Sequence, residues 1–380
     1  MNDHFPIVVH GRFPWASPWR RPKQTHSRLG PRHPILYLEP ACRLAGPRPD
    51  RIRLRKEPQN VRIVEPQLAG EARGPEDDSA RISALLRDSS AFERLGRAVH
   101  WVYGPIPDGR LELFPEPLAI VYDCLEEPGS RGDPPDEGAG GEEALLRAAD
   151  LVFTAGHELC RARLPLRPDA RFVPSGVDFA HFHSAVRATP PSDLARIPPP
   201  RIGYSGVVDA RIDLDALARL AAARPHDSIV LLGPVEGLDP ERLPRARNLF
   251  YLGERPYRRL PEYFSGFSAG VMPFRSDTPA ALANPEAPLE WLSAGKPVVA
   301  TPLADLVRFF SETVTLAEPA DLGEAIDRAL ARDLLAVRRG EEIGHASPWA
   351  PMASEMELLV ARVVQRRRQP PSHPPTAAAV

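Results

Sequence analysis

The chain is poor in cysteine, in lysine, in long apolar runs and in any excess of one charge, and each shortage excludes something. Three cysteines occur in 380 residues, Cys42, Cys124 and Cys160. They are widely spaced and form no CxxC pair, which argues against a disulfide framework and against a cysteine-rich zinc site. Free thiols in a reducing compartment are expected. No run reaches the roughly 18 uncharged apolar residues of a membrane span. Asp3 and Pro6 break the short apolar run at the amino end, so Met1 to Pro14 does not read as a signal peptide. Forty-eight basic residues face fifty acidic ones, a net charge of -2. No overall field therefore draws nucleic acid to the chain. Lysine appears three times, at Lys23, Lys56 and Lys296, beside 46 prolines, a bias that reads as compositional background.

What is present points to a globular protein. Hydrophobic residues make up 43% and charged residues 26% of the chain, outside the regime of disorder. At roughly 100 to 200 residues per domain the length fits two domains. Short, continuous apolar runs recur at Phe5 to Val9, Ile35 to Leu38, Ala98 to Val102, Leu118 to Val121, Leu151 to Thr154 and Arg171 to Pro174. Continuous rather than alternating runs fit strands covered on both faces, hence a parallel sheet with helices on each side. Ala80 to Leu86 and Glu142 to Ala149 supply covering helices, and the acidic, glycine-rich segment 123–141 reads as a mobile loop.

The stretch ATPPSDLARIPPP (188–200) suits a semi-rigid linker. Beyond it the alternation resumes, with strands at Arg201 to Tyr204, Ser228 to Leu232, Leu249 to Leu252, Ala269 to Pro273, Pro297 to Ala300 and Val314 to Leu316. Helices are expected at Leu214 to Ala223, Pro285 to Ala294 and Asp321 to Ala331. The fold class is therefore α/β, with two tandem Rossmann-like, doubly wound domains. The expected organisation is a first domain over 1–187, a linker over 188–200 and a second domain over 201–345. An amphipathic helix over 346–367 packs back across the domains, and a disordered tail fills 368–380.

Two windows carry chemistry. In the segment 284–299, Asn284 suits an N-cap and Pro285 the first helical position, so a helix opens here with free N–H groups that attract anions, phosphate above all. Glu286 belongs to that opening turn. Glu290 lies roughly 7 to 9 Å along the axis from the helix end, a suitable reach for a ribose; a solvated helix residue is the competing reading. Gly295 closes the helix. In the segment 202–213, Gly203 and Gly206 permit close backbone approach to a ligand and Arg211 suits a diphosphate, although a purely structural Gly-x-x-Gly turn fits as well. The three-glycine dinucleotide fingerprint is missing. Asp213 and Asp215 fit compensation of a helix dipole better than a metal-binding DxD.

The ordered motifs RIGYSGVVDARIDLDAL (201–217), VLLGP (230–234), NLFYLGERPYRRLPEYF (248–264), VMPF (271–274) and PLEWLSAGKPVVATPL (288–303) resemble the two-domain GT-B glycosyltransferases. They are similar to bacterial members of the retaining family-4 type. VYDCLEE (121–127), ADLVFTAG (149–156), FVPSGVDFAHF (172–182) and WRRPKQ (19–24) extend the likeness across most of residues 5–365. The resemblance implies two domains facing a cleft, a nucleotide-diphosphate-sugar donor held mainly by the second, and a polysaccharide, lipid-linked or other cell-envelope acceptor held mainly by the first. It implies retention, with no metal and no cofactor beyond the donor substrate. Glu290 matches the ribose-binding carboxylate, and Gly206 with Arg211 the diphosphate loop. Gly203 and Gly233 flank that loop, Tyr251, Arg255 and Tyr257 frame the base, and Asn284 and Glu286 lie at the helix end. Asp123 is the candidate cleft carboxylate, with loop capping as its alternative.

A cytoplasmic location is expected. The clusters Trp19 to Lys23 and Arg51 to Lys56 suit an anionic lipid-linked acceptor or the inner membrane face, or simply solvated charge. Two departures stand out. Leu282 occupies the place of a first family glutamate, and Ala287 that of a lysine whose loss beside a diphosphate weakens binding by about 1.5 to 3 kcal/mol. They motivate a competing reading, a GT-B module that binds a nucleotide sugar or partner protein without transfer. A sugar-nucleotide epimerase shares the fold but has no motif of its own here.

Overall fold

A computed structural model of the chain describes residues 4–16, 20–46, 48–71, 75–89, 96–105, 116–127, 135–276, 287–332 and 334–368. The apolar runs become buried strands. The first unit holds β1 (Ile7–His10), β2 (Ile35–Leu38), β3 (Cys42–Leu44), β4 (Arg51–Glu57), β5 (Val61–Ala69), β6 (Val99–Val102), β7 (Ala119–Cys124), β8 (Leu151–Thr154) and β9 (Arg171–Phe172). They form one sheet in the order β3-β5-β2-β1-β6-β7-β8-β9, with β4 added antiparallel to β5. Every residue of β1, β2 and β6 is buried, as strands sandwiched between helices must be.

The second unit holds β10 (Arg201–Ser205), β11 (Ser228–Leu232), β12 (Leu249–Gly253), β13 (Ala269–Met272), β14 (Val298–Ala300) and β15 (Val314–Leu316). Their order, β12-β11-β10-β13-β14-β15, is parallel throughout. It is the doubly wound 3-2-1-4-5-6 arrangement, whose ligands sit beyond the carboxyl ends of the strands at the switch point.

Val177 pairs with Pro348 and donates its N–H to Ser347 O at 2.8 Å, so the outgoing and returning segments run side by side there. The proline-rich stretch 188–200, expected as a semi-rigid linker, is anchored on the second unit. Leu194 and Ile197 are buried in the second unit's core with Phe182, Ala185, Phe264 and Trp291, and Asp193 accepts hydrogen bonds from Tyr263 and Arg255. Prolines wrap that core rather than spacing two bodies. After the return, the helix Trp349–Arg368 inserts Met356, Leu359, Val360 and Val364 into the first unit's core and packs on the helix Arg21–Leu29.

One further expectation changes, and the basic run 51–56 gains a place in the sheet. The segment 123–141 contains the end of β7 and the start of a helix, Pro135–Ala148, while 128–134 and the tail 369–380 lie outside the described residues. Arg51–Glu57 is an edge strand. Arg51 donates to Gln67, and Arg55 pairs with Glu39. Among the described residues no helix is long and apolar enough to cross a membrane.

Candidate functional site

The site is built from the carboxyl ends of the second sheet. Gly206 follows β10 with φ +151 and Gly233 follows β11 with φ +146. A Cβ at Gly233 would lie 1.8 Å from the carbonyl oxygen of Gly206, so the two post-strand loops touch backbone to backbone. Gly206 N donates to Leu232 O at 2.9 Å and Gly233 N to Gly253 O at 3.0 Å. Gly203 has a packing role, in line with the structural reading of its turn. A Cβ there would sit 2.5 Å from the ring of Trp291 and 2.8 Å from Phe267. The missing side chain seats Trp291, which is fully buried, and so presses the helix Ala287–Ser293 onto the sheet.

That helix presents Glu290. Pro288, Leu289, Trp291 and Leu292 face the core while Glu290 is half-exposed. Gly295 (φ +68) ends the helix, and Lys296 N closes back on Trp291 O at 3.0 Å, a Schellman-type stop. Asn284 and Glu286 lie outside the described residues, as does Leu282.

Around Glu290 gather residues from both units. Tyr257 stacks on His181 with centroids 4.4 Å apart and planes 12° from parallel. The ring nitrogen Nε2 of His181 lies 2.9 Å from Tyr257 O. Across the junction, Gln24 Nε2 on the helix Arg21–Leu29 donates to Tyr257 Oη at 3.4 Å, and Arg28 Nη1 donates to Gln24 Oε1 at 2.6 Å. Burial, then the negative charges of Glu290 and Asp178, push the Tyr257 phenol far above its ordinary value. Burial likewise lowers His181, against the opposing pull of the Tyr257 carbonyl and Asp178. Tyr257 is therefore a neutral donor and acceptor, and His181 an uncharged ring, at neutral pH.

Arg211 lies at the same junction. Its Nε and Nη2 clasp Asp209 at 2.8 and 2.6 Å, and its Nη1 is 3.9 Å from Glu126, which follows β7 in the first unit. Arg12, after β1, is 3.7 Å from the same carboxylate. Two guanidinium groups from opposite units thus share one buried glutamate. Burial pulls Arg211 down in pKa, and the Asp209 hydrogen bonds together with the charges of Asp209, Tyr204 and Glu126 more than offset it, so its pKa is raised.

The remaining candidates have these partners. Arg255 donates to Tyr263 Oη at 2.7 Å and to Asp193 at 3.0 Å, so it holds the proline-rich segment. Tyr251 Oη donates to Pro244 O at 3.1 Å. Asp123, the candidate cleft carboxylate with loop capping as its alternative, is 0% exposed. Arg21 binds its carboxylate through Nε at 3.1 and 3.2 Å and Nη2 at 2.9 Å, and Trp101 Nε1 donates to it at 3.4 Å. Arg21 also donates to Val173 O at 2.5 Å. Asp123 is an internal anchor for the helix Arg21–Leu29, not an open carboxylate.

Sequence reasoning assigned no role to Gln24, Arg28, Asp178, His181 or Glu126, although WRRPKQ, FVPSGVDFAHF and VYDCLEE hold four of them. It also missed a second tie between the units. Asp305, at the start of the helix Ala304–Phe310, accepts the N–H groups of His157 (2.8 Å) and Glu158 (3.2 Å), and Phe309 stacks on Phe172 at 5.6 Å. His157, Glu158 and Asp305 bring possible ligand atoms within 4.8 Å of one another. Asp305 is committed to backbone amides there, which favours a joint over a metal centre.

No family model matches the chain. The putative teichuronic acid biosynthesis glycosyltransferase TuaH of Bacillus subtilis (strain 168) is 24% identical over 196 residues, 50% of this chain and 47% of that protein. The chain thus spans about half the length of the curated relative it matches. Among solved structures, sucrose-phosphate synthase from Thermosynechococcus elongatus superposes with a TM-score of 0.73 at 16% identity, covering 95% of this chain and 100% of that one. A UDP-forming alpha,alpha-trehalose-phosphate synthase from Burkholderia xenovorans, in complex with glucose-6-phosphate, gives 0.68 at 12% identity, covering 94% and 99%. The chain has the GT-B fold, two Rossmann-like domains.

Proposed function

We propose that the chain is a glycosyltransferase that moves a sugar from a nucleotide-diphosphate donor, bound by the second unit, to a cell-envelope polysaccharide or lipid-linked acceptor bound by the first. The observation that carries this is a pair of contacts between the two units: Tyr257, in the field of Glu290, meets Gln24 and Arg28, and Arg211 faces Glu126. The post-strand glycines Gly206 and Gly233 touch backbone to backbone at the strand ends of the second sheet. The UDP-forming activity named for the Burkholderia synthase supports a nucleoside diphosphate leaving group. The named role of the Bacillus relative supports an envelope-polymer acceptor.

In this reading Glu290 accepts hydrogen bonds from the donor ribose. Arg211 exchanges Glu126 for a diphosphate oxygen and stabilises the charge that develops on the leaving group, while Asp209 holds the guanidinium in position. The Tyr257–His181 stack walls the nucleotide side. Transfer passes through an oxocarbenium-like state with retention and without a metal. The site lies in the cytoplasm, and its basic residues meet the inner membrane face or an anionic acceptor.

A second reading, a module that binds donor without transfer, draws on one observation: Ala287 is the first described residue of the helix, and it brings no cation to the diphosphate. Calorimetric titration with a panel of nucleotide-diphosphate sugars, followed by donor-hydrolysis and transfer assays, separates the two. Binding with turnover is expected. Binding without hydrolysis or transfer selects the silent module, and absence of binding to every donor removes both.

A further inference from the structure

The joint formed by Asp305 with His157 and Glu158 does more than tie the two units. Asp305 is 1% exposed, and both of its carboxylate oxygens go to amides of the other unit: Oδ2 accepts from His157 N at 2.8 Å and Oδ1 from Glu158 N at 3.2 Å. Those amides open the helix His157–Arg163, whose N-cap residue is Gly156 and has no side chain to meet them. A carboxylate of the second unit therefore caps a helix of the first, satisfying N–H groups that every helix start leaves unpaired. One helical turn on, Phe309 stacks on Phe172 with planes 19° from parallel, and His157 meets both rings edge-on. Asp305 and Phe309 share one face of their helix, so the contact has a fixed register.

From each side of the joint a short series of hydrogen bonds leads to the contact between Arg211 and Glu126. In the first unit, Ala155 N donates to Cys124 O at 2.9 Å, joining the ends of β8 and β7, and Cys124 Sγ lies 3.6 Å from Glu126 O. The capped helix also ends in Arg163, which pairs with Glu127 at 2.8 Å and Glu142 at 2.9 Å. In the second unit, Thr301 stands between β14 and the helix Ala304–Phe310, and its Oγ1 donates to Phe274 O at 2.7 Å. The adjoining amide, Arg275 N, donates to Arg211 O at 2.8 Å. Arg211 Nη1 and Glu126, 3.9 Å apart, close the ring. The strands that lead into the two contacts are neighbours in the first sheet, β7 and β8, and two places apart in the second, β10 and β14. That is about 5 and 10 Å at the usual spacing between strands, so a shift at the joint reaches Arg211 and Glu126 through closely packed structure that deforms little.

We propose that Asp305 is a positioning residue for turnover: by capping the first unit's helix from the second unit, it fixes the approach of Glu126 to Arg211 and so the register of the two halves of the cleft around the leaving diphosphate. On the glycosyltransferase reading, on which this rests, Asp305 touches neither donor nor acceptor. Its loss should leave donor binding, a property of the second unit, in place and slow the chemical step. A misplacement of about 1 Å is enough for a roughly hundredfold loss where reacting groups are held in position.

The test compares the full chain with Asp305→Ala, Asp305→Asn and Phe309→Ala. The donor is the nucleotide-diphosphate sugar of the panel that the parent hydrolyses fastest, with water as acceptor, and its nucleoside diphosphate is the binding probe. Asp305→Ala should lower kcat about tenfold or more, while the donor KM and the nucleoside-diphosphate affinity stay within about threefold. Asp305→Asn keeps an oxygen for His157 N and should return kcat to within about threefold of the parent. Phe309→Ala loosens the same face without touching the carboxylate and should lower kcat several-fold at the same KM. Hydrogen exchange at the His157 and Glu158 amides should be about tenfold faster in Asp305→Ala, with the helix Leu214–Ala223 unchanged, which shows that the joint has opened and not the whole chain. An unchanged kcat beside faster exchange at the joint, unchanged exchange there, a loss of donor affinity in place of kcat, or no recovery in Asp305→Asn would each overturn the proposal. If Asp305→Ala does not fold, Asp305→Asn near the parent and Phe309→Ala with lowered kcat support the proposal, and Phe309→Ala with the parent's kcat overturns it. A parent that turns over no donor overturns the transferase reading and this inference with it; a parent that turns over donor beside variants that match it overturns this inference alone.

Discussion

Replacing Arg21 with methionine separates an anchoring role for Asp123 from a catalytic one. The two side chains are 1% and 0% exposed, so Arg21→Met strands a carboxylate in the core with neutral groups, the Trp101 indole and the Tyr103 hydroxyl, beside it and no cation in place of Arg21. Removing one partner of a buried pair costs about 3–5 kcal/mol, because the remaining charge is neither solvated nor compensated. The carbonyl of Val173 loses its donor as well, and that loss is not separable from the first. Urea unfolding followed by circular dichroism and by tryptophan fluorescence reads the change as a lowered midpoint. The double variant Arg21→Met/Asp123→Leu removes both charges, and it should unfold closer to the parent than either single change does, a coupling of roughly 2 kcal/mol or more. Asp123→Asn should cost stability while leaving turnover per folded molecule within about twofold. An Arg21→Met variant with the parent's midpoint, or an Asp123→Asn variant that is fully stable and catalytically dead, would refute the assignment.

Two other expectations follow from packing and protonation. Gly203→Ala should destabilise by about 1–3 kcal/mol through overpacking, since its Cβ meets Trp291 at 2.5 Å; an unchanged urea midpoint would mean that Trp291 does not set the helix. Burial lowers His100 to about 4 and His26 to about 3 from 6.5, so the unfolded chain binds more protons than the folded one below pH 6.5. Stability is then full above that pH and falls as the pH drops toward 4 and 3, at up to about 1.4 kcal/mol per pH unit for each ring. His26→Gln should flatten this acid slope, measured as the urea midpoint between pH 7 and pH 4, and a parent with no slope in that window would contradict it.

The sheet of the second domain is legible in the sequence because its strands are short apolar runs cut by glycine and proline, and Leu214–Ala223 matches its expected span to the residue. The first domain hides more. Arg51–Glu57 alternates charge with small apolar content, and it reads as a solvated basic run because an edge strand has one face in water. The helix Arg21–Leu29 buries Arg21, Gln24, Thr25 and His26, a polar face that no hydrophobic period announces, since its partners are Asp123, Tyr103 and the returning C-terminal helix. The proline-rich stretch misleads for a related reason: Leu194 and Ile197 are its anchors, and composition outweighs two apolar residues. At the site, Glu290, Arg211, Gly206 and Gly233 are visible as motif residues, whereas Gln24 and Glu126 become visible once the two sheets face each other. Asp123 lies at a strand end, where sequence alone does not distinguish a carboxylate aimed at substrate from one aimed at an arginine.

The most direct test of the account is donor titration of the parent beside Glu290→Ala, by calorimetry, with melting temperatures recorded for both. The account predicts micromolar-to-millimolar binding of a nucleotide-diphosphate sugar by the parent, of the order usual for enzyme substrates, and loss of that binding in a variant that melts like the parent. Undiminished donor affinity in Glu290→Ala would contradict it.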